Sequence, residues 1–248
     1  MMVNKKPWQP ELVLMFIVAL FGSFCLASLA ALALQAVGVS AFKSPDSFAN
    51  VLFGTLSLQG ASWIFMFVFL RLHGVDWREA FGLRDPNLLR SLLLAAGILL
   101  PTLVMVWPLQ NLSVLALMKL GYPPENQRAV EMLLDASSKW ALGYFVFFAV
   151  VIAPVAEEFV FRGMLFPLVC QLGRPKLAWV GVSLLFALIH FDAAIFVPLF
   201  VLALLLTWVY QRTGCLLASV LLHSLFNAAN LVLLLIVDKL GNKLPLLP

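Results

Sequence analysis

Long apolar runs, separated by short polar breaks, follow one another along most of this chain. A helix that spans a membrane needs about 20 predominantly apolar residues, and most of the runs reach that length. The pattern therefore predicts an all-α protein, a polytopic transmembrane helical bundle of seven or eight spans. The seven apolar runs lie near residues 12–37, 48–70, 88–118, 140–170, 177–190, 194–211 and 215–237.

Two of these runs contain internal prolines. Pro101 and Pro108 lie in the third run, and Pro154 and Pro167 lie in the fourth. Proline removes a backbone donor and kinks or ends a helix, so each run is either one kinked helix or two shorter elements. A divided run would add an eighth span and move the C-terminus to the other side of the membrane.

Composition agrees with a membrane protein. The chain has 248 residues, of which 63% are hydrophobic and 11% charged, and its mean hydropathy is +1.02. These values exclude an ordinary soluble domain and favour a single integrated membrane domain. The first apolar run, of about 26 residues, is too long for the apolar region of a signal peptide, so we expect an uncleaved first helix.

Charge indicates orientation and excludes one class of partner. The net charge is +4, but the basic residues are scattered over loops without interleaved aromatic residues, so we expect no nucleic-acid partner. The densest basic group lies between the second and third runs, and the positive-inside tendency places that loop and the N-terminus in the cytoplasm. The four arginines of the loop are Arg71, Arg78, Arg84 and Arg90.

The longest polar break covers residues 121–139. Ala129, Met132 and Leu133 are apolar at helical spacing within it. The break is therefore either a short amphipathic helix at the membrane interface or an ordinary connector.

A few polar residues lie inside the apolar runs of the C-terminal half. A charge at the bilayer centre costs about 2.5–3.5 kcal/mol on insertion scales, so such residues normally face a protein interior or a wet cavity. Their grouping late in the chain predicts one shared intramembrane site. They are Glu157, Glu158, Arg162, His190, His223, Asn227 and Asn230.

Helix geometry separates the two adjacent glutamates. Glu158 and Arg162 are four residues apart and share a helix face, whereas Glu157 points about 100° away. We therefore interpret Glu158 and Arg162 as a structural ion pair and Glu157 as the functional carboxylate. Pro154, just before them, either frees a backbone carbonyl or begins a new helical segment, so a plain helix is not expected there.

Two further stretches carry imidazoles. His190 follows Phe186 by four residues on one helix face and is either functional or an interfacial histidine. His223, Asn227 and Asn230 lie at i, i+4 and i+7 and form one polar stripe on an apolar helix. The stripe is either part of the site or a hydrogen-bonded seam between helices, and Asn230 fits the seam.

A carboxylate, two imidazoles and a carboxamide permit several chemistries. A glutamate and a histidine can activate water for hydrolysis while other donors bind the oxyanion. One Glu and two His can also ligate zinc, although no HExxH is present. Proton or cation transport and a non-catalytic scaffold or regulator are the remaining alternatives. Nucleophilic catalysis is poorly supported, because no GxSxG surrounds the serines considered, which are Ser183, Ser219 and Ser224.

Three motifs in order resemble the CPBP family of intramembrane proteases. "EEFVFR" at residues 157–162 matches EExxxR, "FALIH" at 186–190 matches FxxxH, and "HSLFN" at 223–227 matches HxxxN. That family includes CAAX prenyl endopeptidases and bacterial bacteriocin-processing and self-immunity relatives. The resemblance covers residues 140–237, the expected catalytic transmembrane part, while residues 1–120 are expected to be variable N-terminal transmembrane helices.

The resemblance implies a role for each motif residue. Glu157 would activate water together with His190, and His223 and Asn227 would form the oxyanion hole. The residues that would support the site are Glu158, Arg162 and Phe186.

The resemblance also implies the setting of the reaction. We expect an endopeptidase in a prokaryotic cell (inner) membrane that contacts the bilayer and cleaves membrane-associated proteins or peptides, with CAAX-like prenylated substrates as one possibility. It implies no cofactor and no metal ligands, with a divalent metal such as zinc as the alternative. The sequence does not predict an oligomeric state.

Overall fold

A computed structural model of the chain describes residues 8–44, 47–122 and 139–241. This part of the chain is helical and contains no β-strand. The centre of the polar break, residues 123–138, lies outside it, and so does the amphipathic helix expected there. The helices are α1 (Pro10–Ala36), α2 (Phe48–Leu72), α3 (Trp77–Ala80), α4 (Leu88–Lys119), α5 (Lys139–Phe147), α6 (Ala153–Glu158), α7 (Phe166–Gln171), α8 (Pro175–Leu188), α9 (Ala193–Thr213) and α10 (Leu216–Gly241).

The described helices confirm a polytopic transmembrane bundle. Six helical segments are long and apolar enough to cross a membrane. The fifth predicted span, 177–190, corresponds to α8, whose 14 residues extend about 21 Å. That is shorter than the roughly 30 Å hydrocarbon core of a bilayer. The six long segments are Pro10–Ala36, Phe48–Leu72, Leu88–Lys119, Leu142–Gln171, Ala193–Thr213 and Leu216–Val237.

Neither proline-containing run is divided. Pro101 and Pro108 lie inside the single helix α4. The fourth run is one continuous helical segment in which π-helical turns at Phe148–Ile152 and Phe159–Leu165 join α5, α6 and α7. A new α-helical segment, α6, does begin at Ala153 beside Pro154, but it continues directly from the π turn, so no free helix N-terminus lies beside the two glutamates.

Each π turn ends two residues before a proline. In an α-helix a carbonyl accepts from the N–H four residues later, and proline has no N–H. Pro154 removes that donor for Val150, and Pro167 removes it for Gly163. Both carbonyls lie in π-helical turns. The expectation that the backbone near Pro154 is not a plain helix is thus confirmed.

Two apolar clusters hold the helices together. In one, Phe16 of α1 and Phe69 of α2 pack against Phe159 of the second π turn. In the other, α4, α9 and α10 pack through residues such as Leu206 and Leu222. The segment Lys139–Gln171 contacts α10 and α2 and so lies between these clusters. Two of its polar residues, Glu158 and Arg162, are therefore fully enclosed by protein.

The arginine-rich loop after α2 docks on the turn between α9 and α10. The backbone N–H of Leu217 donates to the carbonyl of Phe81 at 3.0 Å. Gly82 has φ +77°, and a Cβ there would lie 2.9 Å from the sulfur of Cys215, so glycine is needed for both conformation and space. Burial raises the pKa of the Cys215 thiol, which keeps this residue a neutral packing group.

Candidate active site

Glu158 and Arg162 form a fully buried ion pair. Arg162 Nη1 donates to Glu158 Oε1 at 2.8 Å, and both side chains are 0% exposed. The contact expected from their i, i+4 spacing is present. An ion pair in such surroundings needs further hydrogen bonds to offset the loss of hydration.

Arg162 uses its other nitrogens to bind α9. Its Nε donates to Thr207 Oγ1 at 3.2 Å and its Nη2 donates to the carbonyl of Ala203 at 2.9 Å. The guanidinium carbon lies 4.7 Å from the centre of the Phe186 ring, within the range of a cation–π contact. Arg162 therefore joins the segment that carries the glutamates to α9 and α8.

The Glu158 carboxylate accepts from two residues of α10 as well. His223 Nδ1 lies 2.9 Å from Oε1, and Ser219 Oγ donates to Oε2 at 2.6 Å. With Arg162, three donors surround one carboxylate that solvent does not reach. Glu158 is thus occupied as an acceptor and is poorly placed to take a proton from water.

Glu157 has different surroundings. Its side chain is 27% exposed, and its Oε2 lies 3.8 Å from His223 Nε2. That distance is too long for a direct hydrogen bond. The exposure leaves this carboxylate accessible to a small molecule, and the two glutamates, which lie on different helix faces, differ in burial.

His223 lies between the two glutamates. Because Nδ1 faces a carboxylate oxygen of Glu158, which can only accept, that nitrogen carries a proton. Nε2 then points toward Glu157. The imidazole also packs edge-on against Phe186, with ring centres 5.8 Å apart.

His190 lies two residues beyond the end of α8. Its Nδ1 donates to the carbonyl of Phe186 at 2.7 Å, which leaves Nε2 as the basic nitrogen. The Phe186 ring contacts the His190 ring at 4.9 Å, and Asp192 then caps α9 by accepting from the N–H of Ala194 at 2.8 Å. The Phe186 ring thus contacts both His190 and His223.

The two asparagines of the polar stripe bind different helices. Asn227 Nδ2 donates to the carbonyl of Ala149 in the first π turn at 2.8 Å. Asn230 Oδ1 accepts from Trp107 Nε1 of α4 at 2.8 Å. Asn230 thus belongs to the helix seam, while Asn227 is held one turn from His223 and keeps one amide hydrogen for another partner.

The structure brings Glu157, Glu158, Arg162 and His223 into one contiguous cluster with Phe186. It adds two residues that sequence reasoning did not assign to the site, Ser219 and Thr207. Ser219 precedes His223 by four residues, so it extends the polar stripe of α10 by one turn. The helical spacing contained that signal.

The metal alternative requires three protein ligands around one point. Within residues 8–44, 47–122 and 139–241, no three His, Cys, Asp or Glu side chains are grouped to hold a metal ion. Glu157 and His223 face each other, but a third ligand does not join them there. The expectation of no cofactor, with a divalent metal such as zinc as the alternative, stays a prediction.

The C-terminal part of the chain is similar to known proteins. Residues 139–229 match the family model described as type II CAAX prenyl endopeptidase Rce1-like. The UPF0177 protein YxdF of Lactococcus lactis subsp. lactis (strain IL1403) is 32% identical over 78 residues, which are 31% of this chain and 42% of that protein. The match thus spans less than half of that relative. No solved structure matches the chain.

Proposed function

We propose that this chain is an intramembrane endopeptidase, on the premise that its residues 139–229 belong to the Rce1-like type II CAAX prenyl endopeptidase family. The observation that carries the proposal is the unequal burial of the adjacent glutamates. Glu158 is fully buried and accepts hydrogen bonds from three donors, whereas Glu157 is 27% exposed and lies 3.8 Å from His223 Nε2. One carboxylate is structural, and the other is available to a water molecule.

In the proposed reaction Glu157, helped by His190 Nε2, takes a proton from water. The water oxygen bonds to the carbonyl carbon of the substrate, and the π electrons of that carbonyl move to its oxygen. His223 and Asn227 donate hydrogen bonds to this oxyanion. When the tetrahedral intermediate collapses, the C–N bond breaks and Glu157 returns its proton to the leaving nitrogen.

Burial of the ion pair supports a structural role for Glu158 and a catalytic role for Glu157. Arg162 and Ser219 satisfy Glu158, so its carboxylate can hold the Nδ1 proton of His223. This fixes the ring with Nε2 toward the reacting atoms. A histidine that also carries a proton on Nε2 is a cationic donor, which stabilises developing negative charge more strongly than a neutral donor does.

The substrate we propose is a membrane-associated protein or peptide, with a CAAX-like prenylated C-terminus as the form to test first. The apolar helices and the matched family support a multi-pass membrane location. The Lactococcus relative supports a prokaryotic cell (inner) membrane.

The deciding experiment measures cleavage by the purified protein in lipid nanodiscs. The substrates are a fluorogenic CAAX peptide with a farnesylated cysteine and the same peptide without the lipid. We expect Glu157→Gln to lower turnover at least about 10²-fold, the usual contribution of a general base. The matched control is Glu79→Gln, the same change at an exposed residue of α3.

Equal cleavage by wild type and Glu157→Gln would overturn the mechanism. If no peptide is cleaved and both proteins rescue a null phenotype equally, the scaffold alternative is favoured. Stoichiometric zinc in the purified protein, lost in both His190→Ala and His223→Ala, would favour the metal-dependent version.

A further inference from the structure

We propose that Ser219 is a positioning residue of this site, which fixes the orientation of the Glu158 carboxylate and, through it, the ring of His223. Its effect on turnover rests on the proposed function, whereas its effect on the His223 ring does not. Ser219 and Glu158 are both fully buried, and Ser219 Oγ lies 2.6 Å from Oε2.

Arg162 alone does not fix the carboxylate. It offers Glu158 one nitrogen, Nη1, and gives Nε and Nη2 to Thr207 and Ala203 of α9. The contact is therefore not the two-bond fork that locks a carboxylate against a guanidinium. The terminal torsion of a glutamate is broad, so Oε2 needs a partner of its own.

The Ser219 hydroxyl is the donor that supplies this partner. Its single proton has two acceptors within reach, Glu158 Oε2 at 2.6 Å and the carbonyl of Leu206 at 3.1 Å. The hydroxyl donates to the carboxylate, because hydrogen bonds to a carboxylate are shorter and stronger than those to a neutral carbonyl. The proton therefore goes to the carboxylate.

Two residues on one face of α10 thus hydrogen-bond to both carboxylate oxygens of Glu158. Ser219 and His223 are four residues apart and lie one above the other on that face. Ser219 binds Oε2 while His223 Nδ1 binds Oε1. Because helix geometry fixes the spacing of the two groups, the carboxylate plane is set and Nε2 of the imidazole stays directed at Glu157.

Loss of the Ser219 hydroxyl would allow the terminal torsion of Glu158 to rotate. A buried Oε2 without a donor is unfavourable, so the carboxylate would rotate to share Arg162 and His223 between its two oxygens. The imidazole would then sample more than one orientation. We expect substrate binding to be unaffected, because Ser219 is fully buried and its hydroxyl contacts Glu158 and the carbonyl of Leu206.

The test compares four proteins that carry single changes. Ser219→Ala removes the donor, Ser219→Thr keeps it, and Ser219→Cys keeps a similar volume with a weaker donor. The matched control is Ser62→Ala, since Ser62 is also buried in a membrane helix but donates to the carbonyl of Leu58 in its own helix.

Two measurements are made on each protein, the kinetics with the farnesylated peptide and the Nδ1–H signal of His223 in the NMR spectrum of histidine-labelled protein. We expect Ser219→Ala to lower kcat about tenfold at unchanged KM, the effect of one buried hydrogen bond. Its Nδ1–H signal should shift and broaden. Ser219→Thr should remain close to wild type, Ser219→Cys should lie between them, and Ser62→Ala should change neither readout.

Ser219→Ala with wild-type kcat and an unchanged Nδ1–H signal would overturn the proposal. So would an equal loss in Ser219→Ala and Ser219→Thr, which would indicate packing alone. If Ser219→Ala does not fold, the Ser219→Cys protein decides by the same two readouts. If wild type cleaves nothing, the proposed function fails, and the His223 signal still decides the role of Ser219.

Discussion

Trp8 donates its indole N–H to the backbone carbonyl of Gly163 at 2.6 Å. The α-helical donor for that carbonyl would be the N–H four residues later, which is Pro167 and has none. Trp8 is 4% exposed and packs edge-on against Phe69 at 5.0 Å. Trp8, two residues before α1, thus donates to a carbonyl next to Arg162 and links the N-terminal helices to the candidate site.

Replacing Trp8 with Phe keeps an aromatic ring and removes the indole donor. We expect the free energy of unfolding to fall by about 1–3 kcal/mol, because a buried carbonyl would lose its partner. Unfolding in detergent, followed by circular dichroism, measures the change. Trp140→Phe is the matched control, since Trp140 is 90% exposed and should change stability by less than about 0.5 kcal/mol. Equal stability of the two variants would contradict the role given to the indole.

Arg162→Met leaves the Glu158 charge buried without its cation. We expect a loss of about 3–5 kcal/mol in the free energy of unfolding, the usual cost of breaking a buried pair from one side. The double variant with Glu158→Met should be more stable than Arg162→Met, because no unpaired charge remains. The same unfolding assay compares these proteins with Glu157→Gln, which should be as stable as wild type. A double variant less stable than Arg162→Met would argue against the ion pair as the main cause.

Asn227→Ala tests the expected oxyanion donor. Loss of one such donor typically costs about 10²–10³ in turnover. Asn230→Ala is the matched control on the same helix, because Asn230 binds Trp107 of α4 and should affect stability rather than turnover. The initial rate with the farnesylated peptide distinguishes them. Similar rates for the two variants would remove Asn227 from the oxyanion hole and leave it as a link to Ala149.

Local geometry is what the sequence predicted well. The long apolar runs predicted the spans because hydrocarbon requires about 20 apolar residues in a helix. The contact between Glu158 and Arg162 followed from their spacing within one helix, and the separate face of Glu157 followed from the same rule. The disturbed backbone near Pro154 followed from its missing N–H. These features depend on residues within a few turns of each other.

Contacts between helices were not predicted in this way. Ser219 was considered only as a nucleophile, yet it binds Glu158 across the bundle. Thr207 was not predicted as part of the site, because a lone threonine in an apolar run normally hydrogen-bonds within its own helix. Thr207 also makes such a bond, to the carbonyl of Ala203. Their role depends on which faces of α9 and α10 meet the segment that carries the glutamates.

The sequence by itself determined a multi-pass helical protein, the position of its polar residues within the spans and the pairing of Glu158 with Arg162, because hydrophobic length and helix periodicity are local properties. The three motifs also identified the family that matches residues 139–229. Only the tertiary structure decided three relationships. Ser219 and His223 hydrogen-bond to the buried Glu158, and Glu157 remains accessible. Trp8 donates to the carbonyl of Gly163 in the second π turn. Those relationships are contacts between residues of different segments. They depend on how the helix faces pack against each other, and residue spacing along the chain does not determine that packing.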